Sequence, residues 1–203
     1  MPRDQAAPGF TRRSFLKTVG AGGVAAGVWN KVPDASAQNV TALGPGAVPV
    51  SLNVNGRTLL LDVEPRVTLL DALRTRAHPP ITGVKRVCDR GACGACTMIA
   101  DAKTIYACST LAIEAQGRKI RTVESFTQGT VLHPVQQAFC DTDGVMCGFC
   151  TPGFVTATVA LLEKNPNPTA AQARRALDGN ICRCGTYVRV LEAALTAKGV
   201  RRG

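Results

Sequence analysis

The residues in this chain that could do chemistry are its cysteines. Nine cysteines occur among the 203 residues, and eight of them fall into two sets of four. Thiolate is a soft ligand that selects zinc, copper(I) and iron–sulfur clusters, and two thiols can also form a disulfide. The first set is Cys88, Cys93, Cys96 and Cys108, and the second set is Cys147, Cys150, Cys182 and Cys184.

Four, two and eleven residues separate successive cysteines of the first set. This spacing is typical of a [2Fe-2S] cluster, in which a compact loop supplies three thiolates and a nearby strand supplies the fourth. Gly91 and Gly94 let the loop backbone wrap closely around inorganic sulfide and direct N–H groups at it. Zinc also accepts four thiolates, but structural zinc usually takes two similar pairs, and disulfides are a third possibility. The first set therefore predicts a [2Fe-2S] cluster.

The second set joins a Cys-x-x-Cys motif to a Cys-x-Cys motif, and each motif comes just before a segment with helical periodicity. Two helix N-termini directed at one site would offer N–H donors and positive dipole ends to an anionic cluster. Taken alone, this set could bind zinc. Beside the first set in the same short chain, it predicts a second [2Fe-2S] cluster. Cys140 matches no ligand position and is expected to be a small buried hydrophobe on a helical face, with a redox role as the alternative.

Around the first set, the chain reads as short strands with one helix. Residues 50–54 and 58–63 are expected to be paired strands, because Asn55-Gly56 between them favours a type I′ hairpin turn. Thr68 is expected to cap a short helix over 69–74. Further strands are expected over 97–99 and 105–108. This order of elements predicts a small α+β domain over residues 50–127.

Beyond residue 128 the apolar spacing becomes helical. Apolar residues recur at helical intervals in four segments, 132–139, 152–164, 170–177 and 188–197. His133 stands before Pro134 and is expected to start the first of these helices. Residues 128–203 are therefore predicted to form an all-α four-helix domain.

The first 37 residues have the three parts of an export signal. Arg12 and Arg13 precede a Gly/Ala-rich apolar stretch that is too short to span a bilayer, and residues 35–37 supply a small-residue cleavage site. The pattern resembles a twin-arginine signal, with Thr11 where Ser is more usual; the alternative is a basic, disordered tail. That pathway exports folded proteins, so a cofactor can be inserted first and the mature chain is expected in the periplasm. Residues 38–49 would be a linker.

Composition argues against several other functions. The net charge is +10, but the positive residues are scattered, and two clusters with their ligands would each carry about −2. Aromatic residues make up 4% of the chain, which leaves little surface for base stacking, so nucleic acid is not an expected partner. No Ser/His/Asp set, phosphate loop or pair of catalytic carboxylates is apparent. No catalytic residue is therefore assigned, and substrate chemistry is expected on another chain.

Four motifs together resemble the iron–sulfur subunit of the molybdenum hydroxylases, the xanthine dehydrogenase and aldehyde oxidoreductase family. They lie at 88–97, 133–136, 147–153 and 179–186, and the resemblance extends over most of the chain beyond the predicted signal. It implies a β-grasp ferredoxin-like domain followed by the helical domain. It also implies that the second-set cluster lies next to the pterin of a molybdenum cofactor on a large subunit. Where the family usually has Gln with its amide near that pterin, this chain has Met146.

The function that the resemblance implies is electron transfer within a periplasmic molybdenum hydroxylase that oxidises aldehydes or aromatic N-heterocycles. Electrons would leave the molybdenum cofactor through the second-set cluster and then the first-set cluster. The acceptor would be a flavin subunit or a cytochrome, and the molybdenum and flavin domains are expected on other polypeptides. The alternatives are a free-standing carrier with two clusters and an exported binding module stabilised by zinc or disulfides. No membrane span is expected in the mature chain.

Overall fold

The computed structural model describes residues 11–22 and 44–197. The chain divides into two units, Met1–Ala42 and Leu43–Gly203. In the first unit, helix α1 (Arg12–Gly22) follows Thr11, whose hydroxyl accepts a hydrogen bond from the Ser14 N–H at 3.2 Å. Helix α1 contains the paired arginines of the predicted signal. The predicted cleavage site and the first half of the predicted linker lie outside the described residues.

The second unit begins with a β-hairpin. Strands β1 (Val48–Val54) and β2 (Arg57–Val63) are antiparallel. Asn55 and Gly56 form the turn with φ angles of 54° and 76°, the positive values that a type I′ turn requires. The predicted hairpin is therefore confirmed. The Asn55 side chain also exchanges two hydrogen bonds of 2.8 Å with Thr122, which fixes the turn to a distant part of the chain.

Three further strands complete a five-stranded sheet, β3 (Thr97–Ala100), β4 (Lys103–Tyr106) and β5 (Lys119–Arg121). The strand order is β2-β1-β5-β3-β4, with β1 and β5 parallel and the other neighbours antiparallel. The strand expected over 105–108 ends at Tyr106, because that residue pairs with Thr97, where β3 begins. The next residues form a 3₁₀ turn (Ala107–Ser109).

A short helix covers one face of the sheet. Helix α2 (Leu69–Asp71) begins after Thr68, whose hydroxyl accepts a hydrogen bond from the Asp71 N–H, as predicted. The chain then continues as a π-helix (Ala72–Arg76), because the Ala77 N–H bonds to the carbonyl five residues before it. The helix and the sheet share a buried core that includes Leu69, Leu70, Leu73, Leu52, Val54, Met98 and Ile120.

The described residues after 128 contain four α-helices, α3 (Pro134–Asp141), α4 (Thr151–Lys164), α5 (Ala170–Leu177) and α6 (Tyr187–Thr196). Each helix begins and ends within two residues of the bounds of the segment predicted for it. His133 caps α3 in a capping box with Gln136, which confirms its predicted place at the helix start. No helix within the described ranges is long and apolar enough to cross a membrane.

Helix α4 packs against β3 from the face of the sheet opposite α2. Met98 and Ile99 are neighbours on β3, so their side chains point to opposite faces and join two different cores. A two-pronged ion pair between Arg121 of β5 and Glu163 of α4, at 2.6 and 2.8 Å, also ties the helix to the sheet. These contacts place the loops before α4 and α6 beside the loop before β3.

Candidate metal centres

The first cysteine set comes together between the loop before β3 and the turn after β4. The loop carries Cys88, Cys93 and Cys96. Cys108 was predicted to lie on a strand, but it lies on the 3₁₀ turn that follows β4. The sulfur atoms of Cys96 and Cys108 are 3.4 Å apart, and the Cys93 thiol lies close enough to Cys88 to lower its pKa. The structure therefore brings all four cysteines together as two thiol pairs.

The spacing of Cys96 and Cys108 fits two ligands of one metal ion. A distance of 3.4 Å between the sulfurs is too long for a disulfide, whose S–S bond is about 2.05 Å. Two sulfurs bound at about 2.3 Å to one tetrahedral ion lie roughly 3.8 Å apart. All nine cysteines of the chain are free of disulfides. The disulfide alternative therefore finds no support in the structure.

Backbone N–H groups of the loop point at these sulfurs. Gly91 donates to the sulfur of Cys108 at 3.2 Å, and Ala92 donates to the sulfur of Cys88 at 3.3 Å. Gly91 has a φ of +73°, and a Cβ at this position would lie 2.7 Å from the Ser109 hydroxyl, so only glycine fits. Donors of this kind stabilise anionic sulfur, which an iron–sulfur cluster requires.

The second cysteine set gathers near the N-terminal ends of α4 and α6. Cys150 immediately precedes α4, and Cys182 and Cys184 lie in the turn that leads into α6. The Cys150 and Cys182 thiols lie close enough to shift each other's pKa, and the Cys147 thiol acts on the pKa of Cys184 in the same way. The structure therefore brings this set together as two thiol pairs as well.

Side-chain hydroxyls support one sulfur pair of the second site. The Thr186 hydroxyl donates to the sulfur of Cys182 at 3.1 Å. The Cys182 N–H donates in turn to the Tyr187 hydroxyl at 2.9 Å. A hydroxyl of the α6 cap therefore supports Cys182 directly, and the Tyr187 hydroxyl holds the backbone at that cysteine.

The pairing of thiols bears on which metal the sites fit. Within residues 11–22 and 44–197, no three His, Cys, Asp or Glu side chains converge where a single metal ion would sit. Structural zinc needs four donors around one ion. A [2Fe-2S] cluster has two irons, and each takes two thiolates. The two-by-two arrangement at both sites is the one that a [2Fe-2S] cluster requires.

The thiols of the first site differ in their readiness to ionise. Burial alone would raise the pKa of Cys88, but N–H groups of Arg90, Ala92 and Cys93 and the Cys93 thiol lower it to about 7. Burial raises the pKa of Cys96 to about 12, and negative charge on the neighbouring thiolates adds to the effect. Without a cation the four thiols of this site do not all ionise near neutral pH, whereas bound iron would hold them as thiolates.

The second site shows the same division. Burial opposes ionisation of Cys182, but the Thr186 hydroxyl and N–H, the Cys150 thiol and the Gly185 N–H lower its pKa to about 7. Burial and the adjacent Cys182 and Cys147 raise the pKa of Cys150 to about 12. Each site therefore holds one thiol that ionises easily and one that ionises only beside a positive charge.

Exposed apolar side chains surround the second site. Met146 and Phe149 flank Cys147, and they are 65% and 50% exposed. Ile181 and Val188 lie on either side of the Cys182 turn and are 51% and 79% exposed. Ile181 and Val188 also line a groove of about 390 Å³ beside α5 and α6. Apolar side chains clustered in this way on a surface mark an interaction site.

The expectation that Cys140 is buried is wrong. It is exposed on α3 and belongs to neither set of thiol pairs. The buried residues of α3 are Val135, Ala138 and Phe139, at the spacing of one helix face. Cys140 follows this face by one residue and therefore turns to solvent. The predicted helical segment is too short for its periodicity to assign Cys140 to the correct face.

Three residues with contacts at the sites had no role predicted from sequence. Thr186 could have been found from its place two residues after Cys184, where a hydroxyl can reach a ligand. Tyr106 lies close enough to the first site that burial, together with the thiolate charges there, raises its pKa. Asn180 contacts the loop of the first site. Tyr106 has no local sequence signal, because its partner is distant in the chain, whereas Asn180 belongs to the motif at 179–186 but had no role of its own assigned.

Comparisons with known proteins agree with the site chemistry. The family described as "[2Fe-2S] binding domain" matches residues 122–195. The aldehyde oxidoreductase iron-sulfur-binding subunit PaoA of Escherichia coli O157:H7 is 39% identical, covering 94% of this chain and 89% of the relative. The nicotine 6-hydroxylase small subunit of Paenarthrobacter nicotinovorans is 44% identical, covering 75% of this chain and 90% of the relative. The crystal structure of quinoline 2-oxidoreductase from Pseudomonas putida 86 matches with a TM-score of 0.71 and 36% identity, covering 75% of this chain and 94% of that chain.

The fold and the paired cysteines define an iron–sulfur protein of the α+β class, as predicted. The chain belongs to the family of iron–sulfur subunits of the molybdenum hydroxylases, and the resemblance drawn from its motifs is confirmed. It is therefore an iron–sulfur subunit of an oxidoreductase and contains a [2Fe-2S] binding domain.

Proposed function

We propose that this chain is the electron-transfer subunit of a periplasmic molybdenum hydroxylase and holds two [2Fe-2S] clusters. The observation that carries the proposal is the arrangement of eight cysteines as four thiol pairs in two sites. When bound, each cluster would supply reversible one-electron chemistry. The ligands are Cys88, Cys93, Cys96 and Cys108 at the first site and Cys147, Cys150, Cys182 and Cys184 at the second.

The two clusters would lie in two domains. Residues 50–127 would be a β-grasp ferredoxin-like domain, which the central parallel pair of β1 and β5 and the helix across the sheet support. Residues 128–203 would be an all-α four-helix domain, which α3 to α6 and their shared core support. The strand β1 begins at Val48, so ordered structure extends two residues into the proposed linker.

The partner would be a large subunit that carries the molybdenum–pterin cofactor and covers the second site. The exposed apolar rim of that site supports this, because interface centres are apolar and depleted in charge. Met146 stands in this rim and is 65% exposed. The substrate would be an aldehyde or an aromatic N-heterocycle, since PaoA and the nicotine 6-hydroxylase subunit are named for such oxidations.

The residues of this chain would take no part in bond making on the substrate. They would hold the clusters, donate hydrogen bonds to the ligand sulfurs and fix the two sites relative to each other. Electrons would enter at the second site, beside the large subunit, and leave from the first site. The acceptor would be a flavin subunit or a cytochrome.

Metal analysis tests the proposal. The chain co-expressed with its large subunit should contain about four iron and four acid-labile sulfide per chain. Cys93→Ser should remove about half of the iron, since one cluster loses a ligand. Cys140→Ser is the matched control and should keep all of it, because this exposed thiol pairs with no ligand. Stoichiometric zinc without labile sulfide would overturn the proposal, and a cluster-loaded chain that binds no large subunit would make it a free-standing carrier.

Export can be tested separately. Arg12→Lys together with Arg13→Lys should leave cluster-loaded protein in the cytosol, because the paired guanidinium groups are the recognition element of a twin-arginine signal. Cell fractionation and immunoblotting would measure the distribution. Arg57→Lys, a change at an exposed arginine of β2, is the control and should not alter export. Full export of the paired variant with its clusters would disprove the assigned pathway.

A further inference from the structure

A short segment before Cys182 lies directly on the loop of the first site. The Ile181 N–H donates to the carbonyl of Cys93 at 2.9 Å. The Tyr106 hydroxyl donates to the carbonyl of Gly179 at 3.1 Å. The ligand loop of one site is therefore hydrogen-bonded to the ligand loop of the other.

Asn180 provides the third and most buried link. Its side-chain amide donates to the carbonyl of Gly94 at 2.9 Å and approaches the Thr97 hydroxyl at 3.3 Å. The side chain is only 5% exposed, and its own N–H is bonded to the carbonyl of Leu177 at the end of α5. A buried amide with two partners across 80 or more residues of sequence fixes two segments in one arrangement.

Close packing at the same point leaves little freedom. Gly94 has a φ of +70°, and a Cβ there would collide with the carbonyl of Gly179 and the amide of Asn180. A Cβ on Gly153, in the first turn of α4, would collide with the carbonyl of Gly94 and lie 3.0 Å from the Asn180 amide. The loops of both sites and the start of α4 therefore meet around Asn180.

We propose that Asn180 is the positioning residue that holds the second-site loop against the first-site loop, and so sets the separation and orientation of the two clusters. The inference rests on the proposed function, in that it takes both sites to be loaded. Electron passage between two centres falls steeply with their separation. Magnetic coupling between two reduced clusters depends on the same separation and on their orientation.

The first-site loop should survive the loss of this amide. The carbonyl of Gly94 also accepts hydrogen bonds from the Thr97 hydroxyl at 2.6 Å and from the Thr97 N–H at 3.0 Å. Removing the Asn180 amide therefore leaves no buried carbonyl without a partner in that loop. What is lost is the link between the two loops. A substitution at Asn180 can thus change the position of the clusters while both remain bound.

The test is Asn180→Leu in the full chain co-expressed with its large subunit. Leucine has nearly the shape of asparagine, adds no charge and donates no hydrogen bond. The matched control is Asn167→Leu, at an exposed asparagine in the loop between α4 and α5. Three quantities are measured: iron per chain, the spin–spin splitting between the two reduced clusters in electron paramagnetic resonance, and hydrogen exchange of the Ile181 amide.

The Asn180→Leu chain should keep about four iron. The spin–spin splitting between its reduced clusters should narrow or disappear, and its Ile181 amide should exchange hydrogen faster. The rate of electron passage between the clusters should fall about 10-fold, the effect typical of residues that orient metal ligands. Asn167→Leu should match the unmodified chain in every measurement. Tyr106→Phe removes a more exposed link and should give a smaller change in the same direction.

Unchanged splitting and unchanged Ile181 exchange in Asn180→Leu would overturn the inference. If Asn180→Leu fails to load its clusters, hydrogen exchange at Ile181 is compared between the metal-free variant and the metal-free unmodified chain. Equal exchange rates would refute the positioning role of Asn180. Failure of the proposed function looks different, because the unmodified chain would then lack iron at one or both sites. The two failures are therefore distinguishable.

Discussion

The two cysteine sites differ in how completely the chain itself covers them. At the first site, Cys96 and Cys108 are 3% and 7% exposed and belong to the core beneath the sheet. At the second site, Cys147 and Cys184 are both exposed, and only Cys182 is buried. The first site is completed by a glycine-containing loop of this chain, whereas the second is left open on one side.

The surroundings of the two sites differ in the same sense. The exposed residues next to Cys88 include Arg86 and Arg90, with Val87 as a single apolar neighbour. The second site has a group of exposed apolar side chains around it, among them Met146 and Val188, and one exposed arginine, Arg183, between two of its cysteines. An open ligand set inside an apolar rim is what remains when a subunit interface is separated. We therefore propose that a partner subunit completes the second site and not the first.

The largest expected effect comes from placing a charge among the exposed apolar side chains beside the second site. Val188→Asp should weaken binding of the large subunit at least about 30-fold, or roughly 2 kcal/mol, because the carboxylate would be buried on association. An aspartate in the first turn of α6 also suits the helix dipole, so the fold should be unaffected. Binding would be measured by interferometry or calorimetry on cluster-loaded protein.

The matched change at the first site is Val87→Asp, at an apolar residue that is 56% exposed beside Cys88. It should leave the affinity for the large subunit within about twofold, because an exposed carboxylate costs little. If Val87→Asp weakened binding as much as Val188→Asp, the assignment of the docking face to the second site would be wrong.

A medium effect is expected on reduction potentials. Thr186→Val removes the hydroxyl that donates to Cys182 at 3.1 Å, while the same side chain makes no cap hydrogen bond for α6. Loss of this donor should lower the potential of the second-site cluster by about 40 mV, equivalent to roughly 1 kcal/mol for one electron. The first-site potential should not move. Redox titration followed by electron paramagnetic resonance would measure both potentials.

The counterpart at the first site is Ser109→Ala. The Ser109 hydroxyl is 3.6 Å from the sulfur of Cys108, farther than the Thr186 contact, so the first-site potential should fall by less. Equal falls in reduction potential in the Thr186→Val and Ser109→Ala variants would show that the two sites do not differ in their dependence on a hydroxyl group.

The smallest effect concerns the metal-free chain and its pH dependence. Cys88 has a pKa of about 7 and is half-buried, so its alkylation rate should rise with pH through about 7 as the thiol ionises. Cys182 has a similar pKa but is buried, and Cys96 has a pKa of about 12, so both should react more slowly. Mass spectrometry of iodoacetamide-labelled peptides would give the order, and labelling of Cys96 before Cys88 at pH 7 would contradict it.

Local chemistry explains which features could be predicted from the sequence. Asn55-Gly56 specified the hairpin, and Thr68 and His133 marked helix starts, because each acts on residues within one turn. The cysteine sets stood out for the same reason, since a loop of nine residues brings three thiols together. Their assignment as cluster ligands stays a prediction until metal is measured.

Features that depend on distant contacts could not be predicted. Strand β5 is three residues long and exists because it pairs with β1 and β3, so it has no periodicity of its own. The hydrogen bond from Asn180 to Gly94 crosses 86 residues of sequence. In each case the tertiary fold, and not the local sequence, decides the outcome.

The most direct test of the different roles of the two sites is substrate-driven reduction in single-site variants. Cys150→Ser disables the second site, and Cys93→Ser disables the first. Each variant is assembled with its large subunit, given an aldehyde or N-heterocycle that the unmodified complex oxidises, and frozen for electron paramagnetic resonance. Dithionite reduction of a parallel sample confirms that the remaining cluster is present. We expect substrate to reduce the second-site cluster in Cys93→Ser but not the first-site cluster in Cys150→Ser, whereas rapid reduction of the first-site cluster in Cys150→Ser would reverse the proposed order.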